Sequence, residues 1–159
     1  MEKDRNPLVD PNYAGTDDAS GEYLKILNEA KEKGKCPFCP ENLTKTNEID
    51  LDMRKLGWLA IRNKWPYENA EVHLILIPER HLTAIEEIKD TDWAAIQELI
   101  SLAKEKYPTL GKYGGGLAVR FGTNSGVTIR HLHFHLIAPV TDPETGKVSS
   151  GKWVNFPFG

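Results

Sequence analysis

His131-Leu132-His133-Phe134-His135-Leu136-Ile137-Ala138 places three of the five histidines within five consecutive positions. Polar and apolar side chains alternate through it with period two, the period of a β-strand. The spacing predicts a strand over 129–138. Leu132, Phe134 and Leu136 then face the core, and the three imidazoles share the opposite face. Same-face residues on a strand stand about 6.6 Å apart, so three imidazoles in a row span about 13 Å. A tetrahedral metal holds its nitrogens at about 2.0–2.1 Å, and a straight strand cannot bring all three to one ion. The histidines therefore divide their labour among metal ligation, nucleophilic or base chemistry, and assistance. The plain alternatives are an accidental metal patch or a solvated polar face on an edge strand, and serine or lysine serves a solvated face equally well.

Outward from this stretch, 117–121 reads as a neighbouring strand, joined by the turn Gly122-Thr123-Asn124-Ser125-Gly126. Residues 71–77 form a strand ending at Pro78, with 57–62 as a partner and 46–53 alternating more weakly. Ser20 can cap a helix to Lys33, stopped by Gly34. Asp90 or Thr91 can cap a long helix to Tyr107, in which Trp93, Ile96, Ile100 and Ala103 recur at helical spacing. A short helix is expected near Thr83, loops over 63–70 and 108–116, and a tail that forms a hairpin or wraps the body. The result is an α+β domain, a mostly antiparallel sheet with one long helix packed on it and hairpin-joined neighbours. Residues 1–19 read as a flexible N-terminal arm and 20–159 as a single domain.

Composition bounds the function. The chain has 159 residues, 27% charged, and a net charge of −3. That charge supplies no bulk attraction to nucleic acid or anionic membrane, so neither is an expected partner. The N-terminus lacks an apolar signal region, and no run approaches the ~20 apolar residues of a membrane span. A cytoplasmic protein is expected.

Both cysteines lie in Cys36-Pro37-Phe38-Cys39. A Cys-x-x-Cys pair serves metal binding or redox chemistry. The flanking Pro37 and Pro40, and the helix ahead of the pair, suit a zinc knuckle better than a thioredoxin-like turn. Two thiolates do not close a four-ligand site. His81 and one member of the triple cluster are the obvious further donors, with an idle thiol pair as the alternative. Trp58 and Trp93 are expected in the core. Trp65 and Trp153 either line a pocket or pack ordinarily.

These residues together resemble the histidine-triad (HIT) family. The stretch 131–137 matches its His-φ-His-φ-His-φ-φ pattern, where φ is apolar. Gly126-Val127-Thr128-Ile129-Arg130 resembles the lead-in to that pattern. His73-Leu74-Ile75-Leu76-Ile77-Pro78-Glu79-Arg80-His81 resembles a second family segment, and Cys36-x-x-Cys39 the zinc knuckle of many bacterial members. The resemblance implies a HIT-like fold and a small-molecule nucleotide substrate. His133 would attack the α-phosphorus and form a transient nucleotidyl-imidazole. His135 and Thr128 would hydrogen-bond the phosphate or the leaving group, and His73 would orient a neighbouring group. Cys36, Cys39, His81 and His131 would hold a structural Zn2+. Asn63 is a candidate ribose contact, and amides around Ser125, Gly126 and Val127 candidates for phosphate oxygens. Arg120 falls where many members carry asparagine, and a cation there can meet phosphate. The family commonly forms homodimers.

The implied activity is a HIT-type hydrolase or nucleotidyl transferase acting on a dinucleoside polyphosphate or a nucleoside phosphoramidate. Asn63-Lys64-Trp65-Pro66-Tyr67 is similar to the diadenosine tetraphosphate phosphorylase-like branch, which gives a second reading. A non-catalytic nucleotide-binding module is a third. A member that processes nucleic-acid ends is disfavoured by the net charge.

Overall fold

The computed structural model describes residues 8–14, 21–44, 47 and 53–158. Helix α1 (Glu22–Lys33) leads through the cysteine knuckle to α2 (Pro40–Leu43). Strands β1 (Arg54–Lys55), β2 (Trp58–Arg62) and β3 (Ala70–Pro78) follow, then α3 (Asp90–Lys106), α4 (Pro108–Tyr113), β4 (Gly116–Val119) and β5 (Phe134–Pro139). The five strands form one antiparallel sheet in the order β1-β2-β3-β5-β4. The expected α+β architecture with one long helix on an antiparallel sheet is therefore present.

Alternation divides the sheet into two faces. On one, Trp58, Ala60, Leu74, Leu76, Phe134 and Leu136 bury against Ala95, Ile96, Leu99 and Ala103 of α3. On the other, Leu59, Ile61, Ile75 and Ile77 form a second cluster with Leu43. His73 is two residues from Ile75, and Ile75 sits opposite His135. Those two histidines thus share the face away from α3.

Several boundaries differ from the sequence reading. Strand β5 begins at Phe134 and not near 129. The Leu132 amide donates to the Leu82 carbonyl at 2.7 Å, which takes the chain ahead of Phe134 off the sheet. The inward alternation survives, since Leu132, Phe134 and Leu136 are all in the core. Strand order is not a hairpin succession, because β5 inserts between β3 and β4. Residues 108–113 are helical: Pro108 has the fixed φ that suits a first helical position. The helix expected near Thr83 is a 3-10 turn over Ile85–Glu87. Trp58 is fully buried, whereas Trp93 is 43% exposed while its ring edges onto Phe134. Helix α1 ends at Gly34 as expected, with φ 60°. Ser20 and most of the weak 46–53 alternation lie outside the described residues. The tail forms no strand and lies along the body, where the Trp153 carbonyl accepts from Asn69 Nδ2 at 3.3 Å.

Two contacts place the site-bearing segments. A Cβ on Gly115 would stand 2.4 Å from the Ile137 carbonyl oxygen, so only glycine lets β4 approach β5 this closely. Within the stretch read as an N-terminal arm, Val9 bridges Ile129, and the Asp10 amide donates to the Thr128 carbonyl at 2.7 Å. No described helix is long and apolar enough to cross a membrane.

Candidate functional site

A cavity of about 380 Å3 opens on the face of the sheet away from α3. Asn63, Arg120, Gly126, Thr128, His133 and His135 all line it. His73 stands behind His135. Ser125 and Val127 do not line the cavity: the Ser125 hydroxyl donates to the Gly122 carbonyl at 3.2 Å, and Val127 is buried. Gly126 takes φ 73°, a left-handed turn that leads the chain into Thr128.

The hydrogen bonds fix which nitrogen of each imidazole carries its proton. His133 Nδ1 lies 2.7 Å from the His131 carbonyl oxygen, which can only accept. Nδ1 therefore holds the proton and Nε2 the lone pair. His73 Nδ1 accepts from the Tyr67 amide at 3.1 Å, so its Nε2–H donates to His135 Nδ1 at 2.9 Å. His135 is left with its proton on Nε2. Burial lowers His73 and His133 to about 4 and His135 well below the usual 6.5, and the nearby Arg120 cation pushes all three the same way. All three are neutral near pH 7.

Around them stands an apolar wall of Tyr23, Ile26, Phe38, Ile61, Trp65 and Ile75. The Phe38 ring meets His133 edge-on at 5.0 Å, and the Tyr23 and Trp65 rings lie 4.9 Å apart. Both Trp65 and Trp153 line the cavity. Asn63 Oδ1 accepts from the Trp65 amide at 3.1 Å, and its Nδ2 is 3.3 Å from both His73 ring nitrogens.

Three cavity residues, and Phe156 packed beside them, were not singled out from sequence. Tyr23 brings its hydroxyl 2.5 Å from the Thr128 hydroxyl. Tyr67 holds His73 through its amide and stacks its ring on His135 at 5.7 Å. Phe38 and the tail residue Phe156 pack against His133 and His135 respectively. Phe38 had a local signal, its place between the two cysteines. The others come from 105, 68 and 21 residues away (Tyr23 to Thr128, Tyr67 to His135, Phe156 to His135), and no local pattern marks them.

A second group lies beside the first. One donor atom from each of Cys36, Cys39, His81 and His131 falls within 4.8 Å of every other. Cys36 Sγ to His131 Nδ1 is 3.5 Å, Cys39 Sγ to His81 Nδ1 is 3.4 Å, and Cys39 Sγ to His131 Nδ1 is 3.8 Å. Ligands at 2.3 Å (sulfur) and about 2.0–2.1 Å (nitrogen) around a tetrahedral ion stand about 3.6 Å apart. His131 Nε2 donates to the Pro78 carbonyl at 2.8 Å, which turns the Nδ1 lone pair toward the sulfurs. Burial raises the Cys36 thiol, and burial with the adjacent Cys36 raises Cys39 to about 12. A divalent cation between the sulfurs removes that obstacle to two thiolates. These four residues can hold a metal ion. His131 reaches it because it is off the strand, so the 13 Å spacing of an extended triple does not apply.

Solved structures share this architecture. A hypothetical histidine triad nucleotide-binding protein from Sulfolobus tokodaii matches with a TM-score of 0.53 at 22% identity, over 76% of this chain and 81% of that one. A structure described as a HIT-like protein matches with a TM-score of 0.52 at 24% identity, over 63% of this chain and 96% of its own. In sequence, an uncharacterized HIT-like protein of Chlamydia trachomatis is 28% identical over 91 residues, 57% of this chain and 80% of that protein. The family model described as "Scavenger mRNA decapping enzyme C-term binding" matches residues 18–151. With the triad, the sheet and the four-donor cluster in place, the chain belongs to that family and, through it, to the histidine-triad proteins.

Proposed function

We propose that the chain is a nucleotidyl-transferring hydrolase in which His133 is the nucleophile. The observation that carries this reading is the 2.7 Å bond from His133 Nδ1 to the His131 carbonyl, which leaves the Nε2 lone pair for an electrophile. That nitrogen attacks the α-phosphorus of a nucleoside 5′-phosphate derivative. An N–P bond forms, the bond to the leaving group breaks, and its electrons depart with that group. Water then attacks the nucleotidyl-imidazole, releasing the nucleoside monophosphate and returning the lone pair to His133. Thr128 and His135 donate to the phosphoryl and leaving-group oxygens. The apolar wall with Trp65 takes the base. Asn63 keeps one N–H and one oxygen lone pair for a ribose hydroxyl, and the chain turn at Gly126 brings Thr128 to the phosphate.

Zn2+ is the ion that this donor set suits, two soft sulfurs and two imidazoles. Its role would be structural, since four protein donors would leave no open position. A homodimer belongs to the same reading, since among the described residues β4 pairs only with β5 and keeps one edge of the sheet. So does a cytoplasmic setting, in which unpaired thiols persist.

The test is release of nucleoside monophosphate from dinucleoside polyphosphates, nucleoside phosphoramidates and a capped dinucleotide. The last is included because the matched family's description names a decapping enzyme. His133→Ala abolishes release on this reading; unchanged release overturns it. Assays with and without inorganic phosphate separate hydrolysis from the phosphorolysis that the 63–67 segment raises. A labelled nucleotide trapped on His133 in a single turnover separates an enzyme from a binding module.

A further inference from the structure

Among the described residues, two buried side-chain polar atoms lack a hydrogen-bond partner: Arg120 Nε and His135 Nε2. Both residues line the same cavity, and both atoms are donors. The guanidinium is always protonated, and His135 carries its proton on Nε2 because His73 donates to its Nδ1. Buried donors in folded proteins are as a rule paired, so two that share a cavity mark a missing acceptor.

The two side chains are held as neighbours. Tyr67 accepts from Arg120 Nη2 at 3.2 Å through its hydroxyl and stacks its ring on His135. The Phe156 ring lies 5.2 Å from Arg120 Cζ and 5.0 Å from the His135 ring. Arg120 Nη1 donates to the Gly126 and Pro157 carbonyls at 3.2 and 3.4 Å. Among the described residues, the guanidinium is positioned by neutral oxygens alone. Among those residues it is also the one lysine or arginine lining the cavity, where the one acidic side chain, Glu68, is exposed.

We propose that Arg120 and His135 seat an anionic phosphate in the leaving group, so that the site prefers phosphoanhydrides to phosphoramidates with amine leaving groups. This rests on the nucleotidyl-transfer reading above. As His133 Nε2 bonds to the α-phosphorus, the α-phosphorus–oxygen bond to the β-phosphate breaks. The bond's electrons go to the bridging oxygen, which leaves as an oxygen of the departing phosphate. His135 Nε2–H donates to that oxygen, and the guanidinium offsets the charge that gathers on the group. An amine instead departs only after gaining a proton, and a fixed cation beside it opposes that gain.

The experiment compares wild type, Arg120→Gln and Arg120→Lys on diadenosine triphosphate and adenosine 5′-phosphoramidate. Wild type should favour the anhydride by about tenfold or more in kcat/KM. Arg120→Gln should lose about thirtyfold more on the anhydride than on the phosphoramidate. Arg120→Lys, which keeps the charge without the planar fork, should fall between and guards against a glutamine variant that fails to fold. Equal losses on both substrates overturn the proposal. A second arm needs no turnover: in the His133→Ala protein, ADP should bind about tenfold more tightly than AMP, and adding Arg120→Gln should erase that gap. If wild type releases AMP from neither substrate, the nucleotidyl-transfer reading fails, and the ADP–AMP comparison alone decides the anion seat. If AMP is released and the gap is absent, the seat alone fails.

Discussion

His73 Nε2 lies 2.9 Å from Nδ1 of His135, and that bond sets the proton of His135 facing away from β3. The two residues sit diagonally on adjacent strands, since His135 pairs with Ile75 and His73 is two positions along. A ring with no proposed contact to substrate therefore decides whether His135 donates or accepts. Replacing His73 with phenylalanine keeps the ring volume and removes the donor. On the nucleotidyl-transfer reading, kcat should drop about 10–100-fold, the usual cost of removing a group that orients a functional histidine. Steady-state kinetics with a parallel thermal melt separates this from loss of fold.

The same histidine makes stability depend on pH. Burial, aided by Arg120, takes His73 from 6.5 to about 4 in the folded state. Between those values the unfolded chain binds more protons than the folded one, so stability rises with pH. The contribution is complete above about 6.5 and is lost as pH falls through 4. A shift of this size corresponds to on the order of 3 kcal/mol. Urea unfolding across this window should show the decline, and His73→Phe should flatten it by one proton's worth of slope.

Metal analysis should find about one zinc per chain, lost in Cys36→Ser. Because metal binding is part of folding energy in such sites, Tm should drop by about 10 °C or more. There is also a reach into the cavity. A bound ion would hold His131 through Nδ1, and the His131 carbonyl accepts from His133 Nδ1. Chelation of the wild-type protein should therefore depress kcat along with Tm. A chelated protein that retains its melting point contradicts the structural role.

Asp92 is a second anchor, away from the cavity. It accepts from both terminal nitrogens of Arg80 at 2.5 Å, from Trp58 Nε1 at 2.7 Å and from the Lys89 amide at 2.8 Å. These partners hold its carboxyl well below the usual range. Asp92→Ala leaves a buried indole N–H without an acceptor and uncaps α3. Denaturant unfolding should show a loss of about 3 kcal/mol.

Tyr23→Phe removes one hydroxyl and keeps the ring against Trp65. Thr128 then loses the partner 2.5 Å away that orients its own hydroxyl. On the same reading, kcat should decline about 3–10-fold while KM moves little. A KM effect alone would assign Tyr23 to base stacking.

Much of this site was legible in sequence because its chemistry sits in short, regular stretches. The His-x-His-x-His alternation marked histidines of both the cavity and the four-donor group, and Cys36 with Cys39 marked half of that group. His73 lies within, and His81 three residues beyond, a strand that the structure places as expected. What local patterning could not provide was pairing at a distance. The chain leaves the sheet between Ile129 and Phe134 because of partners at Val9 and Leu82, each far away in sequence. Alternation alone extends a strand through such a stretch. Arg120 was visible as a cation, but its position beside His135 depends on Tyr67 and on a tail that carries no strand or helix pattern.

The cavity draws its walls from Tyr13 to Pro157, nearly the full span of the described residues. A ribosome delivers these walls in order. When synthesis has reached Leu136, all five histidines and both cysteines exist, yet Trp153, Asn155 and Pro157 have not been made. The nascent chain at that stage holds its imidazoles in a site with one side missing. Pairing β3 with β5 closes a long loop, which makes it a slow step. The cavity is therefore among the last features to mature, finished only once the tail has settled with Phe156 against His135.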